Sequence, residues 1–214
     1  KEDATGEGLG NMKHVYANLY NPDVCPILSL ALLTFCKQRR TNINVEQVFE
    51  GDKSKNRFLQ ILKNVIDHMP VDTNLGTSKR DLGSKSNRKG AISHVLSFAV
   101  ISAVCVYLRN GWSLGNVQDR YIFAGAGGDQ TVGRAVCGLP LNDKKFTVQP
   151  PHFRPEGEEM LNTLGCEDFV PGYTAYLDCF KRTIPYLLAT LLYHLDWLRQ
   201  TLSAQHPLWL QPLF

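Results

Sequence analysis

The feature that most constrains the fold is the spacing of apolar residues, which follows the period of a helix. In residues 57–69 one helical face is apolar, formed by Phe58, Ile61, Leu62, Val65 and Ile66. A second helix is predicted over residues 26–36, because Pro26 suits a first helical turn and an apolar stretch follows it. Two more are predicted near residues 84–96 and 100–109, the latter ending at Asn110-Gly111. A mainly α fold follows.

The rest of the chain is predicted to contain a short β element, loops and further helices. Near the N-terminus a glycine-rich turn precedes residues 14–17, which have strand character, so a small β element is expected there. Residues 70–84 and 124–155 are rich in Gly, Pro and Ser and are predicted to be loops, with a short helix over 113–121. From about Ala175 the chain is predicted to be helical and aromatic, with Pro185 starting a helix that reaches Thr201.

Composition limits the class of protein. The chain has 214 residues, of which 43% are hydrophobic and 20% charged, which is typical of a globular protein. The longest apolar stretch, near residues 95–108, is too short for a membrane span, so no membrane partner is expected. Six scattered cysteines without metal-site spacing favour reduced thiols and an intracellular protein, with no metal and no cofactor expected. Since the first residue is not Met, we expect a fragment or a processed product.

Charge is unevenly distributed along the chain. Twelve Lys and Arg residues lie between Lys37 and Lys89, whereas acidic residues cluster downstream, between Glu156 and Asp168. A basic centre of this kind fits a polyanionic partner, although a solvated lysine-rich surface would give the same pattern.

Within the basic centre, Lys85 and Arg88 stand three residues apart at the predicted start of a helix. This spacing places both side chains on one face, beside unpaired N–H groups and the positive end of the helix dipole. The pair could therefore bind a phosphate, with a forked guanidinium suited to its oxygens. The alternative is a basic turn that only faces solvent.

An aromatic pair follows: Tyr121 lies nine residues after Trp112 and directly after Arg120. A phenol is a poor nucleophile until nearby cations lower the cost of its ionisation, and this segment supplies such cations. The alternative is that both aromatic residues only pack in the core.

These residues resemble the catalytic domain of tyrosine recombinases, the phage-integrase family, and in particular its eukaryotic mobile-element branch of Crypton type. The similarity rests on Arg88-Lys89-Gly90, on Gly111-Trp112 and on Arg120-Tyr121. In that family a His-x-x-Arg box precedes a His or Trp that lies nine residues before the nucleophilic Tyr. The resemblance covers residues 1–135, a partial catalytic domain, and leaves residues 136–214 as a helical C-terminal extension of unknown role.

The resemblance implies DNA cleavage and rejoining through a 3′-phosphotyrosyl intermediate, in site-specific recombination or integration of a mobile element, without a metal or ATP. Tyr121 would be the nucleophile, and Arg88 and Lys85 would stabilise the transition state. Trp112 would position the phosphate or support Tyr121. Lys1 would protonate the leaving 5′-oxygen. The expected partners are duplex DNA and further copies of the chain on it, in the nucleus, with additional DNA contacts predicted at Lys89, Arg120 and Lys13.

Three departures from the family pattern keep other functions open, one of which is that the family's DNA-clamping N-terminal domain has no counterpart in these residues. Lys85 stands where the family has His, and the family's first catalytic Arg is expected upstream of Lys1. The chain could thus be a DNA-binding relic without catalysis, or a structural or interaction domain that uses its aromatic C-terminal part. A type IB topoisomerase shares the chemistry, but the local spacing fits recombinases better.

Overall fold

The computed structural model describes residues 13–36, 53–70, 73, 76, 78–112, 128–167, 169–170 and 172–214. In these ranges the protein is mainly helical, as the apolar spacing predicted. The α-helices are α1 Pro26–Phe35, α2 Ser54–His68, α3 Ser86–Leu96, α4 Ala103–Arg109, α5 Gly128–Val136, α6 Pro155–Leu164, α7 Asp178–Lys181, α8 Ile184–Tyr193 and α9 Leu195–Thr201. Short 3-10 helices lie at Pro22–Val24, Lys79–Asp81, Lys144–Thr147, Tyr173–Ala175 and Pro207–Leu210.

The small N-terminal β element is not confirmed. Residues 13–18 form neither a helix nor a strand, and the described ranges contain no strand at all. The main-chain groups of His14 explain this arrangement. Its N–H donates to the carboxylate of Asp129 at 2.8 Å, and its carbonyl accepts from Arg109 at 2.8 Å. Both groups are therefore satisfied by side chains of helices rather than by a neighbouring strand.

The larger hydrophobic cluster joins α1 to the C-terminal helices α8 and α9. Helix α1 packs along α8, and the cluster contains the fully buried residues Leu28, Phe35, Ile184, Leu187, Leu191, Leu198 and Leu208. Pro26 occupies the first turn of α1, where its missing N–H costs nothing, and the Cys25 Sγ accepts a hydrogen bond from the Leu28 N–H. The boundary predicted between residues 135 and 136 stays a prediction, but the packing of α1 on α8 crosses it.

A smaller cluster is formed by α3, α4 and α5, each of which packs against the other two. Its buried members are Val95, Ile101, Val106, Val132 and Ala135. Helices α3 and α4 match the predicted ranges closely, and α4 ends at Asn110 followed by Gly111, whose φ of 69° lies in the left-handed region that favours glycine. This cluster positions the basic turn described below.

The loop prediction for residues 124–155 is corrected by α5, which occupies nine of those residues. Glycines in such a stretch are typical of turns. Gly133 instead lets α5 approach the N-terminal segment, since a Cβ at this position would lie 2.6 Å from the main-chain oxygen of His14. The helix predicted from Pro185 to Thr201 is interrupted at His194, which separates α8 from α9.

Candidate functional site

The predicted phosphate-binding pair lies at the start of α3. Lys85 is the residue immediately before the helix, and Arg88 is its third residue, so both stand at the positive end of the helix dipole. Both are exposed, as is Lys89 on the next position. The Ser86 hydroxyl accepts a hydrogen bond from the Gly83 N–H at 2.9 Å, which ties the preceding loop to the first turn. The arrangement presents three cationic side chains at one helix end.

Arg88 is held by the residue that ends the neighbouring helix. Its Nε donates to Oδ1 of Asn110 at 3.2 Å, and its Nη2 donates to the main-chain carbonyl of the same residue. The Asn110 amide is fixed in turn, because its Nδ2 donates to the Val106 carbonyl at 2.7 Å. The end of α4 therefore determines where the guanidinium of Arg88 lies.

Trp112 joins the same group of residues. The guanidinium carbon of Arg88 lies 5.8 Å from the centre of the Trp112 ring, within the range of a cation–π contact. The indole also packs against Tyr107, with ring centres 5.3 Å apart, and the main-chain N–H of Trp112 donates to the Tyr107 carbonyl at 3.0 Å. The structure thus brings together Arg88 and Trp112, which the sequence predicted as partners across 24 residues.

Lys85 is brought to the same helix end, but its ammonium group has no hydrogen bond or ion pair with a described residue. Lys13 is exposed and directly precedes His14. Tyr121, Arg120 and Lys1 lie outside the described residues, so the predicted nucleophile and proton donor stay predictions.

The sequence did not predict an ionic group that connects α4, α5 and the segment around His14. Asp129 and Arg109 are 8% and 13% exposed, and Arg109 Nη1 donates to Asp129 Oδ1 at 2.7 Å. The second carboxylate oxygen of Asp129 lies 2.9 Å from Nδ1 of His14. Burial alone would raise the pKa of Asp129, but hydrogen bonds from His14 and Arg109 and the charge of Arg109 hold it below its usual value.

The signal for this ionic group in the sequence is weak. Asp129 follows a glycine-rich stretch and precedes an apolar helical pattern, which agrees with its place in the first turn of α5. Its partners lie 20 and 115 residues away. Such long separations leave no local pattern to find.

The described ranges hold few alternatives to this site. No group of three or more His, Cys, Asp or Glu side chains there is arranged to hold a metal ion. All six cysteines are free thiols, and burial raises the pKa of Cys36 to about 11.

A shallow groove of about 440 Å³ runs between residues 149–153 and α8, lined by Leu19, Pro151, Phe153, Leu192 and Tyr193 among others. No described helix is long and apolar enough to cross a membrane.

The chemistry available at the start of α3 is anion recognition. A guanidinium fork beside an aromatic face, with two flexible lysines and helix N–H groups nearby, offers both directional and purely electrostatic donors to a phosphate. Comparison with family models, curated proteins and solved structures gives no match to this chain. A functional assignment therefore rests on the residues themselves.

Proposed function

We propose that this protein acts on duplex DNA and that it cleaves and rejoins a strand through a phosphotyrosyl intermediate. The observation that carries the proposal is the contact between Arg88 and Trp112, which lie at positions matching two catalytic places of the tyrosine recombinases. The third place is Tyr121. A helix end with exposed Lys85 and Lys89 beside this contact supports a phosphate as the ligand.

In the proposed step one phosphorus–oxygen bond forms and another breaks. The Tyr121 hydroxyl loses its proton to water as its oxygen attacks phosphorus. A phosphorus–oxygen bond to the tyrosine forms, and the bond to the 5′-oxygen of the next nucleotide breaks. Arg88 and Lys85 stabilise the extra negative charge on the non-bridging oxygens. Lys1 donates a proton to the leaving oxygen. Because the phosphotyrosyl bond keeps the energy of the broken linkage, rejoining needs no ATP, and copies of the chain on two DNA sites would exchange strands.

A suicide substrate tests this proposal. In a nicked duplex the short 5′-ended fragment diffuses away after cleavage and leaves the protein covalently attached. The protein, expressed from its complete reading frame, should form this adduct, and Tyr121→Phe should abolish it because the variant has no oxygen to form the bond. Tyr193→Phe is the matched control, since Tyr193 is an exposed tyrosine of α8 outside the motif. An adduct that survives Tyr121→Phe, or none in the native protein, contradicts the cleavage proposal.

DNA binding without cleavage is the second candidate. One observation favours it: Lys85 replaces the family's His, and its ammonium group makes no hydrogen bond or ion pair with a described residue. The same experiment separates the two functions. A native protein that shifts the duplex in a gel but forms no adduct would be a DNA-binding protein.

A further inference from the structure

We infer that Asn110 is a positioning residue for DNA phosphate, and that it acts by orienting Arg88. This inference rests on the proposed function, because it names the same ligand at the same helix end. Asn110 belongs to none of the motifs that predicted the site. It is assigned by its two contacts with Arg88 and by the bond that fixes its own amide.

The amide of Asn110 has a defined orientation. An Asn side chain can normally present either its oxygen or its NH₂ group to a neighbour. Here Nδ2 of Asn110 donates to the Val106 carbonyl, one turn back in α4, at 2.7 Å. The oxygen is therefore the group that faces Arg88 Nε, and it can only accept. Asn110 offers the guanidinium two acceptors at fixed positions, one from its side chain and one from its main chain.

The donors of Arg88 are only partly used by these contacts. A guanidinium has five N–H groups, and Asn110 takes one from Nε and one from Nη2. Nη1 makes no hydrogen bond to a described residue, and its two N–H groups are the donors that we assign to the phosphate. The ring of Trp112, whose centre lies 5.8 Å from the guanidinium carbon of Arg88, restricts where the guanidinium can move on that side. These contacts favour one orientation of the exposed Arg88 side chain, which lowers the entropy cost of binding a phosphate.

The charge of Arg88 is preserved as well. Asn110 is neutral, so it holds Arg88 without cancelling its positive charge. A carboxylate at this position would form an ion pair and reduce the attraction for phosphate. The contact therefore organises the guanidinium and leaves its net charge for the ligand.

A double-mutant cycle on duplex binding tests the inference. The probe is a duplex of about 20 base pairs, titrated by fluorescence anisotropy across a series of salt concentrations. Asn110→Ala removes the Oδ1 acceptor and the Nδ2 bond to Val106 but keeps the main-chain acceptor, so we expect binding to weaken by roughly 3- to 10-fold. In an Arg88→Ala background the same change should weaken binding by less than about twofold, because there is no guanidinium left to orient.

Two controls exclude a general structural effect. Asn87→Ala changes an exposed asparagine of the same helix end and should leave affinity and salt dependence unchanged. Asn110→Asp keeps an acceptor for Arg88, loses the donor to the Val106 carbonyl and adds a charge, so it should bind the duplex more weakly than Asn110→Ala. Thermal unfolding of every variant shows whether the fold is intact.

The outcomes distinguish this inference from the proposed function. If Arg88→Ala weakens binding but Asn110→Ala acts equally in both backgrounds, Asn110 is not a positioning residue and the DNA function stands. If the native protein does not bind the duplex, or binds it with no contribution from Arg88, both the proposed function and this inference are overturned.

Discussion

Arg109 and Asp129 form a largely buried ion pair, 2.7 Å from Nη1 to Oδ1, that joins the end of α4 to the start of α5. The same arginine donates from Nη2 to the His14 carbonyl at 2.8 Å and so secures the N-terminal segment. The next residue in the chain is Asn110, which holds Arg88. The position of the candidate site therefore depends on a salt bridge that takes no direct part in it.

Asp129→Ala should destabilise the fold strongly. Removal of the carboxylate leaves the largely buried Arg109 guanidinium with the His14 carbonyl as its remaining acceptor, and loss of one partner of a buried pair typically costs about 3–5 kcal/mol. Urea denaturation measures this cost. Asp196→Ala is the control, because Asp196 is 93% exposed and lies 3.8 Å from Arg199 on the surface of α9. A surface change of this kind should stay within about 0.5 kcal/mol, and a similar effect of both variants would show that the buried pair has no special role.

Acidification should reduce the free energy of unfolding in two windows. Burial lowers the pKa of His194 below its ordinary 6.5, so the unfolded chain binds this proton more readily and stability falls as the pH drops below 6.5. The pKa of Asp129 is lowered below its ordinary 3.8, so its stabilising contribution is complete above that pH and is lost as the pH falls through the lowered value.

His194→Gln isolates the first window. Denaturation of the native protein and the variant at about pH 7.5, 6 and 5 should show that the variant loses less stability on acidification. His68→Gln provides the control, because His68 is exposed on α2. Parallel pH profiles for native protein and His194→Gln would contradict the assignment. The Nε2 of His194 is buried and has no hydrogen-bond partner in the described part of the chain, which agrees with a neutral ring.

Local sequence patterns predict those helices whose first or last residues are of a type typical of helix ends. Pro26 marks the start of α1, and Asn110-Gly111 marks the end of α4. The apolar face of α2 correctly predicts a helix but not its burial: Ile66 is buried, while Phe58, Ile61 and Val65 are exposed. Periodicity identifies a helix, but burial depends on which distant element covers it.

At the candidate site, too, contacts between distant segments could not be predicted from local sequence patterns. Arg88 and Trp112 were expected at one site on the strength of a resemblance, and the structure places the guanidinium carbon of Arg88 5.8 Å from the Trp112 ring. Asn110 could not be predicted, since its acceptor role arises from the packing of α3 against α4 and from a bond to Val106. Gly133 is ambiguous for a related reason: close approach of two segments and a turn both favour glycine, and only the structure distinguishes them.

Gly133→Ala and Gly90→Ala should have opposite effects on stability. A Cβ at Gly133 would lie 2.6 Å from the His14 carbonyl oxygen, so the N-terminal segment must shift, at a cost of about 1–3 kcal/mol. Gly90 lies within α3, and a Cβ there would meet no atom of another element within 4 Å. Alanine there should stabilise the protein by about 1 kcal/mol through its higher helix propensity. Thermal unfolding measures whether each variant is less or more stable than the native protein. A more stable Gly133→Ala variant would show that the contact between Gly133 and His14 can accommodate a Cβ.

The basic helix end should make DNA binding strongly dependent on salt. The slope of log K against log salt should become shallower by about 0.9 for each phosphate that a variant no longer neutralises. Lys89→Ala and Arg88→Ala are each expected to lower the slope by about one, whereas Lys63→Ala, on the exposed surface of α2, should not. Equal slopes for the native protein and all three variants would place the DNA-binding surface elsewhere.

Lys85→His is the change that best separates cleavage from binding alone. The family pattern has His at this place, so a cleaving protein should keep or increase its yield of covalent adduct on the nicked duplex. Histidine is mostly neutral at about pH 8, so the salt slope of binding should nevertheless fall by about one. Lys89→His serves as the control, because it removes a similar charge from the same exposed helix end without restoring the motif. A rise in adduct with Lys85→His alone would assign position 85 to the chemistry. The absence of adduct from both the native protein and Lys85→His, with DNA binding retained, would establish a protein that binds DNA and does not cut it.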